Sequence, residues 1–119
     1  MPPRDLVKVS TSTTGTGTPL AVGSAETGFR SFAMAGIANG ETISYSIEDS
    51  GVGRETCTGV YNSGAGTLTR TTRASSNASD APLNLSGNAK IFVDFHAADI
   101  AVLALTDETI VMALIQGPI

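Results

Sequence analysis

At 119 residues the chain is long enough for one domain with one modest core and too short for two. It carries 7 Lys and Arg against 11 Asp and Glu, for a net charge of -4, and its cations are scattered, so the basic footprint that nucleic-acid binding needs is missing. Charged residues are 15% of the chain with a mean hydropathy of +0.15, below the roughly one quarter usual in a soluble domain, so part of the surface is expected to be covered by other chains.

A single cysteine, Cys57, excludes an internal disulfide and a cysteine zinc site. No apolar segment follows Met1-Pro2-Pro3-Arg4-Asp5, and no run approaches the about 20 apolar residues of a membrane helix. Neither export by a signal peptide nor contact with a membrane is expected. No cofactor or metal is implied.

In chain order, residues 5–11 put Val7, Val9 and Thr11 on one face and Leu6, Lys8 and Ser10 on the other, which predicts a half-buried strand. Thr13–Thr18, TTGTGT, reads as a flexible turn. A glycine-rich loop can cradle phosphate when it opens a helix, but Pro19-Leu20-Ala21-Val22 follows as another short strand. Gly23–Gly28 is a loop. Phe29–Met34 alternates weakly and predicts a third strand, with Phe29 and Phe32 expected in the core rather than on a binding platform.

Asn39-Gly40 is the dipeptide of a tight hairpin, because both central residues of a type I′ turn need positive φ. After it Ile43, Tyr45 and Ile47 alternate with Thr42, Ser44 and Ser46, predicting a strand with one apolar and one wet face. Glu48-Asp49-Ser50-Gly51 ends that strand. Glu48, Asp49 and Glu55 offer hard oxygens, but without the alternating ligands of a calcium loop the turn is expected to be solvated.

Glu55–Asn62 and Thr67–Thr72 form a hairpin across Ser63-Gly64-Ala65-Gly66. Cys57 lies in its first strand with no basic neighbour to lower its pKa, so it is expected to be a small buried or half-buried residue. Arg73–Asn84 is the longest irregular stretch, and loops of that length are either functional or mobile. Asn77 and Asn84 match the glycosylation acceptor pattern, which has no consequence without secretion.

Leu85–Asn88 is a further turn, and Ala89–Phe95 predicts a strand with Ile91, Val93 and Phe95 on one face and Lys90, Phe92 and Asp94 on the other. His96 falls beside Asp94, but a base with an orienting carboxylate is not a catalytic site without a placed nucleophile. The tail differs in kind: 99–105 and 109–115 are nearly continuous apolar runs split by Thr106-Asp107-Glu108. Whether strand or helix, the second run needs cover on both sides. Leaving Ile110, Val111, Met112, Leu114 and Ile115 in water costs roughly 1.5–3 kcal/mol for each large side chain. The tail, with Ile100, Val102, Leu103 and Leu105 in its first run, is therefore assigned to a partner subunit.

Taken together, DLVKVSTSTTGTGT at 5–18, GFRSFAMAGIANGETISYSIED at 28–49, GVYNSGAGTLTRT at 59–71 and SSNASDAPLNLSG at 75–87 resemble a small structural module of tailed phages, prophages and gene transfer agents. The resemblance spans Asp5 to Asp99. Cys57 stands where such modules often carry more glycine. The resemblance implies a virion part without enzyme activity, found in capsid decoration and spike proteins or in tail fibres and baseplates. In longer relatives a fibre or other domain follows; here the module is followed by the apolar tail, so an adaptor or decoration role on the capsid is expected ahead of receptor reading.

The expected architecture is all-β, a single small antiparallel β-sandwich or barrel of about 7–8 strands, with a β-domain at 5–98 and an apolar C-terminal arm at 99–119. The expected role is an oligomeric adaptor, decoration or spike component of a virion, trimeric or pentameric, assembled in the host cytoplasm and joined to other virion proteins by strand addition and apolar burial. A tail-fibre or baseplate component is the alternative. A host-surface carbohydrate-binding module is the alternative of another class, and an exposed Tyr61 beside the 75–80 loop would favour it. A hydrolase ranks below both, since no paired carboxylates stand at a defined spacing.

Overall fold

The computed structural model describes residues 5–94, which form an all-β unit whose curled antiparallel sheet makes a half-barrel. Its strands are β1 (Lys8–Thr11), β2 (Thr14–Gly15), β3 (Leu20–Ala21), β4 (Thr42–Asp49), β5 (Gly53–Asn62), β6 (Thr67–Leu68), β7 (Thr71–Ser75), β8 (Leu85–Ser86) and β9 (Ala89–Val93). The main sheet runs β1-β9-β4-β5-β6-β3, with β7 also on β5 and β2 paired separately with β8.

The period-2 pattern decides which residues are buried. Val9 and Thr11 on β1 and Val7 just before it are buried, while Lys8 and Ser10 are half-buried. Across the sheet Val9 faces Ile91, Ile91 faces Ile47, and Ile47 faces Glu55. This row of three aliphatic residues ends in a carboxylate, and all four are buried. Phe32, Ile37, Ile43, Tyr45, Leu20, Leu68, Leu83 and Leu85 complete the core.

Gly59 makes one close approach possible. It sits on β5 opposite Ile43, and a Cβ there would meet the Thr69 carbonyl oxygen at 2.0 Å and the Tyr45 ring at 3.1 Å. Glycine thus lets Tyr45 lie across β5 and donate its hydroxyl to that carbonyl at 2.7 Å.

Several sequence expectations need correction. Phe29–Met34 is not a strand: only Arg30 bridges to Val7, and the chain then turns, with the Ala35 N–H donating to the Ser31 carbonyl at 3.1 Å. Phe32 is buried, but Phe29 is 41% exposed beneath the Lys8 ammonium, 5.3 Å from its ring centre. Asn39-Gly40 is a turn but joins no hairpin. Gly40 alone takes positive φ, at 82°, which is not type I′, and its N–H donates to the Tyr61 carbonyl at 2.7 Å, tying the turn to the end of β5.

On the second face of β4 Thr42 is exposed, as expected, but Ser44 and Ser46 are not wet. Ser44 and Ser46 are buried because neighbouring side chains lie over them: Arg73 donates to the Ser44 hydroxyl at 3.3 Å, and Ser46 donates to Asp94 at 3.4 Å. Arg73–Ser75 belong to β7, so the irregular stretch begins only at Ser76. It is tied down: Ser75 receives the Asn77 N–H at 3.1 Å and donates to the Ala81 carbonyl at 2.5 Å, and the Ser76 N–H donates to the Arg54 carbonyl at 2.9 Å.

Candidate functional site

The densest polar cluster among the described residues is buried, and it starts from the alternation of β5. Glu55, Cys57 and Gly59 face inward while Thr56 and Thr58 face outward. Arg70 reaches Glu55 from the segment between β6 and β7, and the two side chains are 1% and 0% exposed. The pair is bidentate: Nη2 donates to Oε1 at 2.6 Å and Nε to Oε2 at 3.0 Å.

The remaining lone pairs and protons of both groups are used. Glu55 also accepts from the Thr72 hydroxyl at 2.7 Å, the Leu83 N–H at 2.8 Å and the Cys57 thiol at 2.9 Å. Arg70 also donates to the carbonyls of Leu83 at 2.8 Å, Gly15 at 3.2 Å and Gly17 at 3.3 Å. Its own N–H is held by the Thr18 hydroxyl at 2.9 Å. One ion pair therefore fastens the 15–18 loop, the Pro82–Leu83 approach to β8 and the β6–β7 corner to β5.

The electrostatics follow from this packing. Burial alone would push the Glu55 carboxyl up, but the donors from Arg70, Cys57, Leu83 and Thr72 outweigh it and hold the group down at about 2 against its ordinary 4.5. Burial pushes the Cys57 thiol up, and the carboxylate that accepts its proton pushes it further. Burial likewise raises the Tyr45 phenol. For Arg70 burial works against the charge, and Glu55 more than offsets it, so its pKa is raised. A carboxylate held ionised beside a thiol held protonated supplies neither a general acid nor a nucleophile near neutral pH. The chemistry of this cluster is that of a clamp.

The residues singled out from the sequence fare differently. Glu48, Asp49 and Glu55 do not converge: Glu48 pairs with Arg54 at the surface at 3.2 Å, and Glu55 turns into the core. Asp49 is buried, not solvated, and accepts from the Ser86 N–H at 2.7 Å and the Ser86 hydroxyl at 2.8 Å. Among the described residues no three His, Cys, Asp or Glu come together as metal ligands.

The 13–18 loop points the carbonyls of Gly15 and Gly17 at a cation, the opposite polarity to a phosphate cradle. Cys57 is buried as expected. Tyr61 is half-buried edge-on to Phe32, with ring centres 4.9 Å apart, and lies at the opposite end of β5 from the 75–80 loop, which is tied to Arg54. Phe95, His96 and the arm residues Ile100, Val102, Leu103, Leu105, Ile110, Val111, Met112, Leu114 and Ile115 lie outside the described residues.

Sequence reading missed the Glu55–Arg70 pair, although one signal was present: Glu55 shares the inward period of Cys57 and Gly59. No family model, curated protein or solved structure matches the chain.

Proposed function

We propose that this chain is a structural component of a phage or phage-like particle, an oligomeric adaptor, decoration or spike protein that docks on the capsid and has no enzyme activity. The observation that carries the reading is the pairing of a half-barrel that has its own core, from Val7 to Ile91, with a strongly apolar arm at 99–119. An arm of that composition needs cover, and a neighbouring subunit can supply it.

The resemblance supports the same reading through the fold's frame. Its stretches hold β1, β4, the β5–β6–β7 corner and the loop leading into β8. The polar groups that a catalytic reading would draw on, Cys57 and Glu55, are consumed by the clamp. A trimer or pentamer joined to other virion proteins follows as the working assembly, with the virion as its location.

The test is sedimentation of particles released from cells that encode the chain, with the chain quantified across the gradient by mass spectrometry. Co-migration with the capsid protein at a fixed ratio is expected. Recovery only in the slow, unassembled fractions would overturn the reading.

A further inference from the structure

Asn39-Gly40 is the one asparagine-glycine step in the sequence; Asn62, Asn77, Asn84 and Asn88 are followed by Ser, Ala, Leu and Ala. Such a step is chemically distinct, because glycine has no side chain to keep its backbone nitrogen from the carbonyl carbon of the asparagine amide. The sequence places the two reactants side by side, and the fold decides how freely they meet.

Both residues are exposed, and a Cβ on Gly40 would meet nothing within 4 Å, so water and base reach the turn. The amide oxygen of Asn39 accepts the Ser63 N–H at 3.0 Å. A donor on that oxygen draws electrons from Cγ and stabilises the negative charge that the oxygen takes on when Cγ is attacked.

The nucleophile is restrained instead. The Gly40 N–H donates to the Tyr61 carbonyl at 2.7 Å, so its proton is engaged with the end of β5. The Glu41 carboxylate, which accepts the Ala38 N–H at 3.1 Å, belongs to the same turn, and its charge opposes an anion on the Gly40 nitrogen. The electrophile is primed while the nucleophile is latched.

We propose that Asn39 is a site of self-modification through a succinimide, gated by the hydrogen bond from Gly40 to Tyr61. When that bond opens, hydroxide or a buffer base removes the Gly40 amide proton. The electron pair of the nitrogen forms a bond to Asn39 Cγ, and the Cγ–Nδ2 bond breaks as Nδ2 takes up a proton and leaves as ammonia. Water then adds to one of the two ring carbonyls, and the ring opens to aspartate or isoaspartate at position 39.

Either product adds one negative charge to a chain that stands at -4. The isoaspartyl product does more, since its main chain runs through the former side chain and is longer by one carbon. The Gly40 N–H and the Tyr61 carbonyl then lose their register, and the tie between the 38–41 turn and β5 is broken.

The test is ageing of the full chain in mildly alkaline buffer, folded and, in parallel, unfolded in guanidinium chloride, followed by tryptic digestion and mass spectrometry. Cleavage after Arg30 and Arg54 isolates residues 31–54, in which Asn39 is the single asparagine. In the folded chain this peptide should gain the mass of an amide-to-acid exchange ahead of the peptides that hold the other asparagines, and chromatography should resolve isoaspartate beside aspartate. One net hydrogen bond on the nucleophile predicts conversion roughly fivefold to tenfold slower than in the unfolded chain. An intact Asn39 in the folded chain once the unfolded chain has converted fully would overturn the site, and equal rates would overturn the gate.

The variant Asn39→Asp supplies a second readout, because it carries the new charge on an unaltered main chain. The isolated isoaspartyl chain should melt at a lower temperature than this variant. Equal melting temperatures would overturn the broken tie.

Discussion

Taking away one partner of the Glu55–Arg70 pair strands a full charge among buried groups, and such losses cost about 3–5 kcal/mol. Arg70→Met is therefore expected to lower the urea midpoint steeply, and the double variant Glu55→Met/Arg70→Met to be less destabilised than the two single changes summed. Additive losses in that cycle would mean that the pair is not coupled. The same carboxylate sets a pH dependence. Its folded pKa, about 2, lies below its ordinary 4.5, so the unfolded chain takes up the proton first as the pH falls. The contribution is whole above about 4.5 and is lost progressively between 4.5 and 2. Urea unfolding at a series of pH values should show this fall, and Glu55→Gln should be less stable at neutral pH with a shallower decline over the same window.

At the scale of elements, β5 depends on the absence of a side chain at Gly59. Gly59→Ala would drive a methyl group into the Thr69 carbonyl at 2.0 Å and against Tyr45, so a loss of about 1–3 kcal/mol or more is expected on thermal unfolding, as for overpacking generally. An unchanged melting temperature would mean that the β5–β6 corner can relax. The strands themselves were legible because a sheet reads its sequence with period 2: Val7-Val9-Thr11, Ile43-Tyr45-Ile47 and Ile91 announced β1, β4 and β9. The Phe29–Met34 stretch misled because its alternation was weak, and backbone bonds from Ala35 and Ile37 close it into turns instead. Ser44 and Ser46 misled for another reason: an alternating strand tells which residues share a face, not whether Arg73 and Asp94 will cover the polar one. The clamp was hidden because Glu55 and Arg70 meet only once β5 and the β6–β7 corner are folded, and no local pattern selects Arg70 from the other cations.

For the whole molecule, the clamp and the arm have opposite economies. Glu55 and Arg70 close the half-barrel by satisfying polar groups internally, so that three separate loops are fastened through one pair. The arm carries apolar surface with no such internal accounting in its sequence, and on this account a neighbouring subunit covers it. The division predicts that the half-barrel keeps its fold when the arm is removed and that association does not survive. The direct measurement is the mass in solution, by light scattering, of the full chain beside a version ending at Ala98, with circular dichroism on both. The account predicts a multimer for the full chain and a folded, soluble monomer for the shortened one. Two well-behaved monomers would contradict it, because the arm would then be covered by its own domain.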